Sequence, residues 1–390
     1  MQILFISAFF YPHKGGIELY AQELILNLTS DHSNITADIL TYNTDNSART
    51  ETYDGISITR IPCFPIVPGQ FYLPYLFSLI TTLWNLRLNS YDIVITQTRF
   101  FDTTWWAWIY AKLIGAKSIF IAHGTGFVSH TNPLVRFMSK VIDLTIASFS
   151  VKRYDERIAI SKATQDFYKT KLGINDTILI PGGIDTQLFD IPKSESSILN
   201  NLNLSPETTI MTYVGRLIRA KGIFGLVDAV SEVSTHNPDK PLHLVVAGTG
   251  PEEQELRTYV NKKGCSDFIS LVGSVEYSEI PLLLSNTTIF INPSYNDGLP
   301  RSVMEAAASG ISVIATNVGS TKDILNKYGF LVEPHNVSHI ADAITTILQN
   351  PKEERQRAAE HKTYIQKTFD WIVISNKIYE QFIQLGKPHE

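Results

Sequence analysis

The chain has 390 residues, enough for two domains of ordinary size, and is 44 % hydrophobic and 18 % charged, which excludes a disordered polypeptide. Its net charge of −5 excludes a protein whose main business is gripping nucleic acid. The only two cysteines, Cys63 and Cys265, lie far apart with no metal-type spacing and read as free thiols of a reducing compartment.

The start, MQILFISAFFYP, lacks a basic leading segment and breaks at Pro12, so it reads as a first strand and not as a signal peptide. In the following FYPHKGGIELYAQEL, Gly15 and Gly16 precede a helix beginning near Ile17, whose exposed N–H groups offer an anion site. A plain turn is the alternative reading there. The strand candidates ADILTY, SITRIP, YDIVITQ, KSIFIAHG, ERIAIS and TILIPGG follow, alternating with helix patterns such as FDTTWWAWIYAKLIG. His123 stands at a strand end and is followed by Gly124, a place where a ligand or a backbone can approach closely; a purely structural histidine is the bland alternative.

A stretch around 181–208, rich in Pro, Gly, Ser and Asn, reads as a linker and sets a boundary near residue 188. Beyond it TIMTYVG, LHLVVAG, FISLVG, TTIFINPS, ISVIAT and GFLVEP repeat the pattern. Near-continuous apolar strands alternating with helices mean parallel sheets covered on both faces, here twice over. The expected domains are 1–187 and 188–370, with 371–390 as an amphipathic closing helix that has no strand after it.

Ligands of open parallel sheets sit beyond the carboxyl ends of the strands. Arg216 and Lys221 leave one such end in VGRLIRAKG; two cations near a helix start oppose the dipole unless an anion joins them. Gly248 and Gly250, before Pro251, make a close-approach turn but a poor dinucleotide fingerprint. In NPSYNDGLPRSVMEAAASG, Asp297 lies in the loop past a strand and the amides of Gly298 and Leu299 can point at a ligand. Pro300 suits a first helical turn, and Glu305 falls inside the helix beside Ala306 and Ala307. A carboxylate set among small residues suits the vicinal hydroxyls of a ribose.

Taken in order, GGIE, HG at 123–124, PGGID at 181–185, VGRL and KG within 214–222, GTGP at 248–251 and the acid pair around GLPRSVMEA resemble a family 4 retaining glycosyltransferase (glycosyl transferases group 1). The resemblance implies an α/β, GT-B fold: two Rossmann-like domains facing a central cleft, with the closing helix returning to the N-terminal domain. It implies that the C-terminal domain holds most of a nucleotide-diphosphate sugar and the N-terminal domain the acceptor. Arg216 and Lys221 would hold the diphosphate, Glu305 the ribose hydroxyls, and Asp297 with the amides after it the sugar. His123 would lie against that sugar, and the Gly15–Gly16 loop would close over the phosphate or the acceptor. No metal and no cofactor are implied, the substrate being a UDP- or GDP-sugar. The chain departs from the family where Asp297 replaces the usual glutamate and Gly182 the usual asparagine.

The expected function is transfer of a hexose-type sugar to a glycan or lipid-linked saccharide in cell-surface polysaccharide or glycolipid biosynthesis. A GT-B sugar-nucleotide epimerase and a catalytically silent nucleotide-sugar-binding protein are the alternatives. Aromatic FYLPYLFSLITTLWNL and TWWAWIYAKLIG, with eight Lys/Arg against four Asp/Glu over 136–171, fit a core and also fit peripheral membrane contact. The expected location is cytoplasmic, or peripheral on the inner face of the plasma membrane.

Overall fold

The computed structural model describes residues 1–13, 15–67, 69–127, 133–236 and 240–386. Two compact units result, one from Met1–Gly183 with the chain from Trp371 onward, the other from Ile184–Asp370. The division falls at Gly183/Ile184 because Ile184 bridges to Asp370 and donates its N–H to Phe369 O at 2.9 Å, tying the segment after it to the second unit.

The first unit contains β1 (Gln2–Ser7), β2 (Thr36–Tyr42), β3 (Thr50–Tyr53), β4 (Ile56–Ile61), β5 (Cys63–Val67), β6 (Phe71–Pro74), β7 (Ile93–Gln97), β8 (Lys117–Ala122), β9 (Glu156–Ala159) and β10 (Ile178–Leu179). Eight of them form a sheet in the order β10-β9-β8-β7-β1-β2-β4-β3, parallel except for the β3–β4 pair. β1, β7 and β8 are almost wholly buried, as strands covered by helices on both faces must be. β5 and β6 make a separate antiparallel hairpin. Sequence periodicity misses that hairpin, because Pro65 and Pro74 interrupt it and neither strand alternates between buried and exposed. The closing helix, Trp371–Gly386, lies along the Gly16–Asp31 helix: Trp371 Nε1 donates to Glu23 at 2.9 Å, and Ser375 Oγ to Asp31 at 2.6 Å.

The second unit contains β11 (Thr209–Val214), β12 (Leu242–Ala247), β13 (Ile269–Gly273), β14 (Ile289–Asn292), β15 (Ser312–Thr316) and β16 (Phe330–Val332), all parallel, in the order β13-β12-β11-β14-β15-β16. Apolar clusters fill both faces: Leu226, Val230 and Ile344 belong to one, and Val303, Met304 and Ile365 to the other. Strand order reverses at β11 here and at β1 in the first unit. Each reversal splays the loops past the carboxyl ends and opens a crevice where ligands bind.

Candidate functional site

In the second unit the reversal brings three loops together. The turn after β11 is pinned to the turn after β12: Gly215 N–H donates to Ala247 O at 3.0 Å, and Leu217 N–H to Thr249 O at 2.8 Å. This contact requires Gly248 and Gly250. Gly248 has φ +142, and a Cβ on either would run into the carbonyl oxygen of Gly215 or of Leu217. The two glycines thus accommodate backbone from the neighbouring loop.

Lys221 leaves the same turn, and Gly222 after it has φ +67 with its α-carbon against the Pro293 carbonyl. Tyr295 N–H donates to Ala220 O at 2.8 Å, closing the loop after β14 onto the loop after β11. Lys221 Nζ then lies 2.7 Å from Asp297 Oδ2, both side chains being about one-fifth exposed. Arg216, from the same strand end, is exposed and its guanidinium has no partner among the described residues. Beyond Asp297, the Gly298 carbonyl accepts from Ser320 N–H at 2.9 Å, while the N–H groups of Gly298 and Leu299 have no acceptor among the described residues. Pro300 is the N-cap of the Arg301–Ala308 helix, one position before its first turn.

Glu305, on that helix, is buried at 5 % exposure because Ala306–Ala308 and Val303 seat the helix tightly against the sheet. Tyr277 Oη donates to Glu305 Oε1 at 3.0 Å, and Arg301 Nε lies 3.5 Å from the same oxygen. Arg301 Nη2 donates to Tyr277 Oη at 3.1 Å, so three side chains form one network. Sequence reasoning missed Tyr277 and Arg301. Arg301 is legible in hindsight from its i,i+4 spacing to Glu305. Past the carboxyl ends of β11, β12 and β13 lies a cavity of about 290 Å³, lined by Val214, Gly215, Arg216, Gly248, Ser274 and Val275 among others. A larger hollow of about 760 Å³ lies at the amino ends of the strands, around Thr209, Thr288 and Ser312, where open parallel sheets do not take ligands.

The first unit gathers a second group. His123 follows β8, its Nε2 is buried with no hydrogen-bond partner among the described residues, and its ring meets Tyr20 edge-on at 4.7 Å. Burial pulls the imidazole down to about 3, so it is neutral at pH 7. A Cβ on Gly124 would lie 2.8 Å from Arg99 Nη1; Arg99 donates to Gly126 O at 2.6 Å and pairs with buried Asp143 at 3.0 Å. Gly15 caps the helix that carries Tyr20, beginning at Gly16, and Glu18 of its first turn faces His13 at 3.2 Å. Gly16 has open space where a Cβ would stand. Arg216, Lys221, Asp297 and Glu305 therefore group in the second unit, and Gly15, Gly16, His123 and Gly124 in the first.

Comparison with known proteins matches both halves of the chain. Residues 195–363 match the model of the glycosyl transferases group 1, and residues 14–188 that of Glycosyltransferase Family 4. An uncharacterized glycosyltransferase of Methanocaldococcus jannaschii is 24 % identical over 98 % of this chain and 99 % of its own. One phosphatidylinositol N-acetylglucosaminyltransferase subunit of Arabidopsis thaliana is 25 % identical over 95 % of this chain and 79 % of its own. Among solved structures, Anabaena HepE in complex with UDP superposes with a TM-score of 0.78 at 18 % identity, over 98 % of this chain and 100 % of that one; the same protein is also known with UDP-glucose. With both halves matched and the two sheets folded alike, the chain belongs to the family 4, group 1 glycosyltransferases and has the GT-B fold.

Proposed function

We propose that the protein is a retaining, metal-independent hexosyltransferase. It takes a hexose-type sugar from a UDP- or GDP-sugar and gives it to a glycan or lipid-linked saccharide in cell-surface polysaccharide or glycolipid biosynthesis. The observation that carries the reading is the grouping of Arg216, Lys221, Asp297 and buried Glu305 past the carboxyl ends of β11 and β14. UDP in the Anabaena relative supports the donor class, and the name of the Arabidopsis relative supports a lipid acceptor.

In this reading Arg216, exposed and without a partner among the described residues, gives a fork to the diphosphate and Lys221 a point charge. The free N–H groups of Gly298 and Leu299 and the helix start behind them add partial positive charge. Glu305, oriented by Tyr277 and Arg301, accepts the ribose hydroxyls. Asp297 accepts from the sugar, and in the first unit neutral His123 keeps Nε2, without a partner among the described residues, as a hydrogen-bonding group. Charge building on the leaving diphosphate is stabilised by these fixed donors. The acceptor hydroxyl attacks C1 on the face the diphosphate leaves; the C1–diphosphate bond breaks as the C1–acceptor bond forms, and a diphosphate oxygen takes the acceptor proton. Configuration is kept.

The test is a panel of UDP- and GDP-sugars incubated in EDTA with and without lipid extract, followed by release of nucleoside diphosphate and by the anomeric proton signal of the product. One donor should turn over in EDTA only with extract, and its product should keep the donor's anomeric configuration. Epimerisation or hydrolysis without acceptor would favour the epimerase, and tight binding without turnover a silent binder. A sugar trapped covalently on Asp297 would overturn front-face attack.

A further inference from the structure

Right-handed crossovers place helices on a parallel sheet according to the direction in which strands advance. In the first unit β1 leads to β2 on one side, while β7, β8 and β9 advance on the other. The Gly16–Asp31 helix therefore covers one face. The helices Leu76–Leu86, Thr103–Ile114 and Pro133–Ile142, the last continuing to Val151, cover the opposite one. They lie side by side. Leu83 and Leu86 pack in the cluster of Trp106 and Tyr110, and Tyr154 Oη, just past the third segment, donates to Thr104 O at 2.6 Å.

The outer side of this layer is unusually apolar. Phe77 is 80 % exposed, Trp84 61 %, Leu113 79 % and Phe137 64 %, with Ile80 and Phe149 exposed beside them. Its charge has one sign. Residues 75–88 and 103–114 contain no acid, and the only acid of 133–153, Asp143, is fully buried against Arg99. Arg87, Arg136, Lys140, Lys152 and Arg153 stand among the apolar groups. Arg87 stacks on Trp84 at 3.4 Å and Arg153 on Phe149 at 3.3 Å, each cation riding on an aromatic ring that it can lower into an interface while its own head stays at the surface.

From this geometry we propose that the outer layer formed by these three helices is a docking surface for an anionic lipid bilayer. Exposed rings and aliphatic chains enter the headgroup–acyl boundary, and the five cations meet lipid phosphates. A second copy of the chain fits poorly, because a two-fold contact sets the same patch against itself and would place cation against cation. No helix among the described residues is long and apolar enough to cross a membrane, so the contact is peripheral. This inference is independent of the donor reading, and its test contains no nucleotide sugar.

The full chain is sedimented with vesicles of phosphatidylcholine alone and of phosphatidylcholine with phosphatidylglycerol. Binding should require phosphatidylglycerol and weaken with added salt. Arg136→Gln with Lys140→Gln should weaken it by about 25-fold, at roughly fivefold per basic residue. Phe77→Ser with Trp84→Ser, both exposed and expected to leave the melting temperature unchanged, should abolish it. Equal binding to both vesicle types would overturn the role of the cations. Absence of vesicle binding, or a dimer in gel filtration that the Phe77/Trp84 variant dissociates, would overturn the proposal.

Discussion

Lys221 meets a carboxylate before any donor arrives, since Asp297 holds its ammonium at 2.7 Å. An incoming diphosphate competes with that carboxylate, while an incoming sugar engages it. The two demands separate in Asp297→Asn. Loss of a partly exposed ion pair frees about 1 kcal/mol or less, so UDP alone should bind as well or up to about fivefold tighter, while turnover of the UDP-sugar falls. Calorimetric titration with UDP beside a turnover assay checks this; a parallel fall in both would mean that Asp297 builds the diphosphate site itself. His123 carries a pH signature. Unfolded, its imidazole takes a proton near 6.5; folded, only near 3. Between those values the unfolded state binds more protons, so stability falls as pH drops, by at most about 1.4 kcal/mol per pH unit from this group. His243 and His361 are shifted down by burial too and act in the same direction. His123→Gln should therefore make the loss of stability between pH 7 and pH 5 shallower without abolishing it, as read by urea unfolding. The residues of the site differ in how far sequence exposes them. Glu305 is legible from its alanine neighbours. Tyr277, 28 residues away, reaches it only because the fold brings the loop after β13 beside the Arg301–Ala308 helix.

At the scale of elements, the long apolar runs translate directly into strands, because a strand buried on both faces has no polar side to confuse the pattern. ISVIAT becomes β15 and LHLVVAG becomes β12. The parts that stay hidden are those whose stability comes from distant pairing. β3 is held by antiparallel contact with β4, and FYLPYLFSLITTLWNL divides at Tyr75 into a short strand and a helix. Glycines show the same limit. Gly248 and Gly250 read from sequence as a close-approach turn without showing what approaches, and the space a Cβ would take at each is filled by the neighbouring loop's backbone. Gly222 belongs with them, with φ +67 and the Pro293 carbonyl in the way of any Cβ. Gly222→Ala should cost about 2 kcal/mol through strain and overpacking, and because it pushes the loop after β11 from the loop after β14 it should also weaken UDP binding. Thermal melts and a UDP titration on the same sample check both; an unchanged melt would contradict the packing account.

Across the whole molecule, the chain builds the same architecture twice and passes between the two units at Gly183/Ile184 and again at Asp370/Trp371. In the first unit Gly183 packs against Trp371 so closely that a Cβ would lie 2.8 Å from the ring. In the second, Ile184 bridges to Asp370. The closing helix is integral to the first unit, burying Trp371, Ile374, Ile378 and Phe382. At about 1.5–3 kcal/mol for each of these four side chains, truncation before Trp371 removes a stabilisation comparable with the whole of a domain's usual stability, and the expected product is insoluble; a soluble, cooperatively melting fragment would contradict this. The central claim is that the loops past β11 and β14 hold a nucleotide-diphosphate sugar, with Glu305 on its ribose. The most direct measurement is calorimetric titration of UDP and GDP into the wild type, Glu305→Ala and Arg216→Ala. One nucleotide should bind the wild type and lose about 10- to 100-fold in each variant, the worth of one or two charged hydrogen bonds, while all three proteins keep the same far-ultraviolet spectrum. Equal affinity in the wild type and Glu305→Ala, or no binding of either nucleotide to any of them, would contradict the account.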